Sequence, residues 1–260
     1  MGIAAVPENC EVRAHAVPWP KEAGLIGSIR SPNHLLDSLP LADFELIRPH
    51  LRPVELAHGA VLVEAGQKIA RAYFPHSGVI SLVVSLRDGE MIEVAMIGQD
   101  SVFGASAAFN GRTSLNNAIV RLPGIASVLD VEHLWKAAEI STSFRTLLFR
   151  HKQVLFAQAQ QSAACNASHT VESRLSRCLL RLRDLSGSDQ LPITQEALAQ
   201  MIGVGRNSVS IVAHTLQQAD LIRYSRGNIE IMNLQRLKRS ACECYTTVKL
   251  HYDRLMSSES

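Results

Sequence analysis

The sequence predicts an α+β chain: an N-terminal β-roll of the jelly-roll type, a long helix, and a C-terminal winged helix-turn-helix. Three observations carry this expectation. Between residues 51 and 131 short apolar runs alternate with turn residues, and Gly59, Gly66, Gly78, Gly89, Gly98, Gly111 and Gly124 punctuate them, the texture of an all-β sandwich or barrel. From Ser143 onward apolar and small residues recur in sevens. Residues 193–212, ITQEALAQMIGVGRNSVSIV, read as two short helices around a glycine break.

Composition sets the outer limits. Apolar residues make up 47% and charged residues 19%, which excludes a disordered chain. No apolar run approaches the ~20 residues that span a bilayer, so no membrane partner is expected. The N-terminus lacks a basic segment followed by an apolar core, so no secretory signal is expected and the cytoplasm is the expected location. Five cysteines (Cys10, Cys165, Cys178, Cys242 and Cys244) are odd in number and scattered, against a disulfide framework. Residues 1–165 carry 14 Lys/Arg against 15 Asp/Glu, and residues 166–260 carry 12 against 9, so the C-terminal part is the better partner for a polyanion.

In chain order, residues 1–30 hold Pro7, Pro18 and Pro20, and read as a mobile tail with Trp19 its bulky anchor. One or two helices follow within residues 33–49, burying Leu35, Leu36, Leu39, Phe44, Leu46 and Ile47. Residues 31–142 form the β-roll unit. Its strands are expected at Val54–Leu56, Ala60–Val63, Ala72–Phe74, Val79–Leu86, Met91–Ile97, Ala118–Leu122 and Ile125–Leu129, and Asp88-Gly89 marks a hairpin turn. The small residues of Gly98–Ala108 suit a short helix or a ligand-facing loop. A short helix is expected at Val131–Ala138.

The long helix occupies residues 143–168. Phe144, Leu148, His151, Leu155, Gln158, Ser162 and Cys165 fall on one seam, with Leu147 and Val154 broadening it. That seam is expected to pair with a second copy; the alternative is that it packs on its own domain. Its polar second half suits two packings, which makes it the expected bistable element. Residues 169–260 form the C-terminal unit. A linking helix, Val171–Leu185, turns Leu175, Cys178, Leu179 and Leu182 inward, with Arg174, Arg177, Arg181 and Arg183 mostly outward.

Within 193–212, Thr194 is placed to cap the first helix, Ala197, Leu198, Met201 and Ile202 form its buried face, and Gly203 permits the turn. The second helix opens with Arg206, Asn207 and Ser208, held by Val209, Val212, Ala213 and Leu216. In a helix-turn-helix that first turn meets base edges in the major groove, where Arg can read guanine and Asn adenine in bidentate fashion. A basic hairpin follows, Arg223-Tyr224-Ser225-Arg226-Gly227-Asn228, whose tip Arg226 suits a phosphate contact. Candidate contacts to double-stranded DNA are therefore Thr194, Gln195, Arg206, Asn207, Ser208, Ser210, His214 and Arg226. A module that uses its helix-turn-helix for protein contacts is the competing reading, against which the wing argues.

This order of elements resembles the Crp/Fnr superfamily of bacterial transcription regulators over residues 33–250. The most specific matches are Ile193-Thr194-Gln195-Glu196, Ile202-Gly203-Val204, Arg206-Asn207-Ser208-Val209, and Leu221-Ile222 before the wing. The resemblance implies a cyclic-nucleotide-binding-like β-roll and a homodimer paired through the long helix. It also implies RNA polymerase as a partner and a near-palindromic operator whose half-sites lie ~34–36 Å apart.

Departures from the family are informative. Members that bind cyclic AMP carry Gly-Glu-Leu and Arg-Ser stretches, which align here with Gly104-Ala105-Ser106 and with Ser114-Leu115-Asn116-Asn117. The effector positions this implies are Gly104, Ala105, Ser106, Asn116 and Asn117. They offer no carboxylate and no cation, and Arg112 and Arg121 stand a few residues away, so cyclic AMP is not the expected effector. Cys10 alone cannot hold the iron–sulfur cluster of the oxygen-sensing branch. Haem remains open through His58, His76 or His151. In the recognition helix, Asn207 stands where the cyclic-AMP branch has Glu, and Ile211 where it has a second Arg, so a different operator is expected.

The Cys242-x-Cys244 pair suggests a metal, with His251 downstream. On a helix, however, residues two apart diverge, so core or surface thiols and no metal site are expected. Cys165 is expected to be a buried inert thiol facing the dimer mate. No enzyme is expected: the β region offers only His58 and His76, without a facial triad, and no Gly-x-Ser-x-Gly occurs.

Overall fold

The computed structural model describes residues 31–256; the proline-rich stretch 1–30, with Trp19 and Cys10, lies outside the described residues. Two short helices open it, α1 (His34–Asp37) and α2 (Leu41–Ile47). Asn33 caps α1 by accepting from the Leu36 amide, and Pro40 separates the pair. Strands β1 (Arg52–Leu56), β2 (Val61–Val63), β3 (Arg71–Pro75), β4 (Val79–Ser85), β5 (Met91–Ile97), β6 (Asn117–Leu122) and β7 (Gly124–Asp130) follow. Each apolar run singled out in the sequence is a strand. They form two antiparallel sheets, ordered β1-β7-β3 and β2-β6-β4-β5. Ala105–Phe109, in the stretch rich in small residues, is a 3-10 helix entered through Gly104 at φ +92°.

The two sheets meet over Val54, Leu56, Ile80, Ile97, Val120, Ala126 and Val128. Gly78 and Gly124 let two turns cross: a Cβ on Gly124 would stand 2.4 Å from the Ser77 carbonyl oxygen, and only glycine fits there. Helix α3 (Val131–Ile140) and the long helix α4 (Thr142–Ser168) leave the roll. At 27 residues α4 is a rod of ~40 Å. Its first half closes a second core with α1, α2 and α3, through Leu35, Leu36, Phe44, Leu134, Phe144 and Leu148.

The C-terminal unit comprises α5 (Val171–Ser186), β8 (Gln190–Leu191), α6 (Gln195–Ile202), α7 (Arg206–Gln218), β9 (Ile222–Ser225), β10 (Asn228–Ile231), α8 (Leu234–Ser240) and α9 (Cys244–Met256). Its sheet has the order β8-β10-β9, so the wing gains a third strand, β8, that no apolar run of the sequence announced. Helix α9 returns along α4, and its last residue, Met256, touches the core of the other unit.

The two units share a core: Val79, Met96 and Leu122 of the roll pack with Leu175, Leu179 and Leu182 of α5. Polar contacts reinforce the junction. Arg181 pairs with Asp100 at 2.8 Å, Gln99 donates to the Asp184 carbonyl at 3.0 Å, and Tyr252 donates to the Asp100 carbonyl at 3.0 Å. This corrects the expectation that the α5 arginines face outward. Arg174 and Arg177 are buried because α5 is enclosed by the roll on one side and the helix-turn-helix on the other. Arg174 donates to the carbonyls of Ile202 and Gly203, satisfying the open end of α6.

The seam of α4 requires a second correction. Phe144, Leu148, His151, Gln158 and Cys165 are buried within their own chain and so are not open to a second copy, while Leu155 and Ser162 are half-buried. His151 accepts from the Val102 amide at 3.2 Å, and the Gln158 side-chain oxygen accepts from the Met96 amide at 2.9 Å. His151 and Gln158 of this stripe therefore pair with open backbone groups of the roll. Burial pushes His151 down to about 4, so it sits there neutral. The outward face of α4 carries Phe149, 52% exposed, and Phe156, 66% exposed.

Candidate nucleic-acid interface and effector cavity

Thr194 accepts from the Ala197 amide at 3.1 Å, so its hydroxyl is committed to capping α6. Gly203 ends α6 at φ +61°. Ser210 of α7 donates to the side-chain oxygen of Gln195, which ties the first turn of α6 to the second turn of α7 and fixes the angle between them. Val209, Ala213 and Leu216 anchor α7 to the core. The opposite face of α7 presents Arg206, Asn207, Ile211 and His214 to solvent, with Ser208 half-buried beside them.

The wing tip is a two-residue turn, with Arg226 at φ +47° and Gly227 at φ +79°, the left-handed pair that matches hairpin twist. It exposes the Arg226 side chain, whereas Arg223 is paired with Glu230 at 3.0 Å. Helix α8 adds exposed Arg236, Lys238 and Arg239 directly after the wing. The sequence reading passed over these three; a run of three cations within four residues next to the wing was the available signal.

Arg206 also opens onto a cleft of about 390 Å³ between the helix-turn-helix and the β4–β5 turn, which brings Asp88 and Glu90 to the same space. Arg121 bridges the units close by, donating to Gln200 at 2.7 Å. Behind it Glu93 is fully buried and accepts from the Ser81 hydroxyl, and burial pushes its carboxyl up to about 7.

A second cavity of about 530 Å³ lies inside the roll. Ile69, Leu82, Ile97, Val102 and Phe103 give it apolar walls, and Leu155 closes it from α4. Gly104, Ala105, Ser106 and Asn116 line it; Asn117 does not. The Asn117 side chain instead accepts from the Ala65 amide at 2.8 Å and donates to Ser85 at 2.8 Å, because it begins β6 and faces the neighbouring loop. No carboxylate lines the cavity among the described residues, and its cations are Arg112 and Lys152. Arg112 is held at the rim by Glu132 at 2.6 Å. Lys152 sits 5.2 Å from the centre of the Phe109 ring, a cation–π distance. Leu155 thus belongs to the cavity wall.

The three histidines considered for haem are engaged elsewhere. His58 bonds the Arg121 carbonyl at 3.0 Å, His76 bonds Ser127 at 2.8 Å, and none of the three lines the cavity.

The four described cysteines are buried, as expected, but their arrangement departs from expectation. Cys242 lies in the non-helical turn before α9 and Cys244 begins that helix, so the divergence of residues two apart on a helix does not apply. Cys165 faces Cys242 at 3.5 Å and not a second chain. Together with His169, these three thiols bring their ligand atoms within 4.8 Å of one another. His251 is not part of this group.

Comparisons with known proteins agree with this architecture. A model of the cyclic nucleotide-binding domain matches residues 53–141, and a model of the Crp-like helix-turn-helix domain matches residues 173–240. The CRP-like cAMP-activated global transcriptional regulator of Mycobacterium tuberculosis is 24% identical over 202 residues, covering 74% of this chain and 88% of that protein. The global nitrogen regulator of Synechococcus elongatus is 24% identical over 188 residues, covering 69% and 85%. Among solved structures, FixK2 from Bradyrhizobium japonicum superposes with a TM-score of 0.64 at 17% identity, covering 74% of this chain and 98% of that one. The c-di-GMP responsive global regulator CLP of Xanthomonas campestris gives 0.60 at 16%, covering 75% and 100%. No helix among the described residues is long and apolar enough to cross a membrane. With a cyclic-nucleotide-binding fold joined through a long helix to a Crp-like helix-turn-helix, the chain belongs to the Crp/Fnr superfamily of transcription regulators.

Proposed function

We propose that the chain is a homodimeric, sequence-specific regulator that reads a near-palindromic operator with the first turn of α7. The observation that carries this reading is the exposed Arg206–Asn207 pair at the start of α7, flanked by the Arg226 wing tip. Arg206 is assigned to a guanine edge, Asn207 to an adenine edge, and Arg226 to phosphate. Ser208 and His214 are assigned supporting contacts. Thr194, Gln195 and Ser210 position the two helices through the bonds described above.

The dimer is assigned to the outward stripe of α4: Phe149, Gln153, Phe156, Gln160, Ala163 and Ala167. Their spacing alternates between four and three residues, the period of a two-helix seam, and each is solvent-exposed in the single chain. Two exposed aromatics at one end and small residues at the other suit a close helix pair. RNA polymerase is assigned as the further partner on family grounds.

The effector belongs in the apolar cavity of the roll. Lacking a carboxylate for a sugar hydroxyl, that cavity suits a mainly apolar molecule with one anionic end reaching Lys152 and Arg112. Cyclic AMP and cyclic di-GMP, the ligands that the names of two relatives carry, are the comparisons to run. Because the cavity is closed by Leu155 of α4, an occupant would bear on the helix that joins the two units. Moving the C-terminal unit would change the cleft that Arg206 shares with Asp88 and Glu90.

Selection of bound sequences from random duplex DNA tests the reading. A near-palindrome with half-sites one helical turn apart is expected. Arg206→Ala should then cost about 1–3 kcal/mol on that site and relax preference at one base pair per half-site. Equal losses on operator and random DNA would reassign Arg206 to phosphate.

A further inference from the structure

We propose that Cys165, His169, Cys242 and Cys244 form a Cys3His site for Zn2+ that fastens the helix-turn-helix unit to the end of α4. The four residues come from two places far apart in sequence: the last turn of α4 supplies Cys165 with His169 just beyond it, and the turn into α9 supplies the other two. The three thiols are buried and form no disulfide, while His169 reaches the surface, giving the ion a way in.

The spacing fits the ion. A tetrahedron with Zn–S of ~2.3 Å and Zn–N of ~2.0 Å has edges of ~3.8 Å between sulfurs and ~3.5 Å between sulfur and nitrogen. Here Cys165 Sγ and Cys242 Sγ are 3.5 Å apart, and Cys244 Sγ and His169 Nδ1 are 3.6 Å apart. Three thiolates and an imidazole in a closed, four-point arrangement are a donor set that selects zinc over the harder divalent ions.

The surroundings carry the argument further. His169 presents Nδ1 to the thiols while its Nε2 meets the Glu243 carboxylate at 3.1 Å. That is the carboxylate–histidine–metal relay, which fixes the ring and its tautomer for ligation. Gln161 donates to Cys244 Sγ at 3.0 Å, the kind of N–H···S bond that supports a thiolate. Zinc with three thiolates leaves one negative charge, and Arg177, buried and lining the same small cavity as Cys244, supplies the opposite sign. A disulfide between Cys165 and Cys242 would use neither His169 nor Cys244 nor their hydrogen-bond partners.

The test is a cobalt titration of the full chain, reduced and freed of metal by chelation under anaerobic conditions. One Co2+ per chain is expected, with intense sulfur-to-cobalt charge-transfer absorption in the near ultraviolet, the visible bands of tetrahedral cobalt, and loss of both on adding Zn2+. Cys244→Ser should lose about a third of the charge-transfer intensity, one of three Co–S bonds. Glu243→Gln, at an exposed position that leaves folding intact, should keep the spectrum but weaken binding by about 10–100-fold. Saturating cobalt without charge-transfer absorption in fully reduced protein would overturn the proposal. So would unchanged cobalt affinity in Glu243→Gln. Loss of two thiols on mild oxidation, in a chain that takes up no cobalt, would replace the site with a Cys165–Cys242 redox pair.

Discussion

Two stripes of side chains run down α4 with the same heptad period and opposite fates. The inner one, Phe144, Leu148, His151, Leu155, Gln158, Ser162 and Cys165, is spent on the chain's own roll and C-terminal unit. The outer one, Phe149, Gln153, Phe156, Gln160, Ala163 and Ala167, lies in solvent. They are offset by five residues, a rotation of ~140° at ~100° per residue. Both begin with aromatic or aliphatic residues and end with small ones, so periodicity finds two seams and cannot say which one the roll covers. What separates them is the supply of backbone partners: Val102 and Met96 leave amide groups open exactly opposite His151 and Gln158, and an open buried amide must be met.

The contrast can be broken at several points. The largest effect is expected at Phe144, fully buried on the inner stripe. Phe144→Ala should cost about 3–5 kcal/mol in denaturant unfolding, since it removes a core aromatic and leaves a cavity. The folded fraction should keep its association state. On the outer stripe Phe156→Asp should leave unfolding of the single chain nearly unchanged and weaken self-association by at least about 100-fold, or ~3 kcal/mol, in sedimentation. Dimers that survive it at unchanged affinity would move the interface off this face.

Behind the inner stripe, Glu93 supplies a pH signature. Its folded-state value is raised from 4.5 to about 7, so its contribution is fully present below about 4.5 and is lost as pH rises through 7. His151 works the other way: lowered from 6.5 to about 4, it contributes above 6.5 and loses that contribution as pH falls through 4. Comparison with Glu93→Gln cancels the histidine. The wild type should lose about 2 kcal/mol relative to the variant between pH 5 and pH 7, read by unfolding across that range. Parallel pH curves would mean that Glu93 is not buried as described.

The smallest test pairs neighbours on opposite faces. Gln158→Leu should cost about 1 kcal/mol or somewhat more, because the Met96 amide loses its acceptor. Gln160→Leu should change single-chain stability by less than about 0.5 kcal/mol, as for other exposed positions. Equal costs would erase the distinction between the stripes.

Legibility in the sequence followed the range of the interaction. The strands of the roll and the helix-turn-helix rest on local rules, so Thr194 as cap, Gly203 as left-handed stop and the glycine-separated apolar runs could be read directly. The wing strand β8 was missed because two residues, Gln190 and Leu191, carry no period of their own; they are a strand only because β10 lies beside them. The α5 arginines read as solvent-facing because charge normally stays in water. Arg174 is buried because the end of α6 offers it carbonyl oxygens, and Arg181, half-buried, is drawn inward by Asp100 across the junction.

By itself, then, the sequence determined the elements that carry a period of their own, their order and the family they compose, since period, caps and turns act within a few residues along the chain. Only the tertiary structure decided which stripe of α4 is buried, that Leu155 walls the roll's cavity while Asn117 does not, and that Cys165 and His169 meet Cys242 and Cys244. Those outcomes depend on contacts across some 50 to 75 residues of chain, for which local spacing carries no information. They are settled by which open backbone group, apolar surface or ligand atom the fold brings opposite.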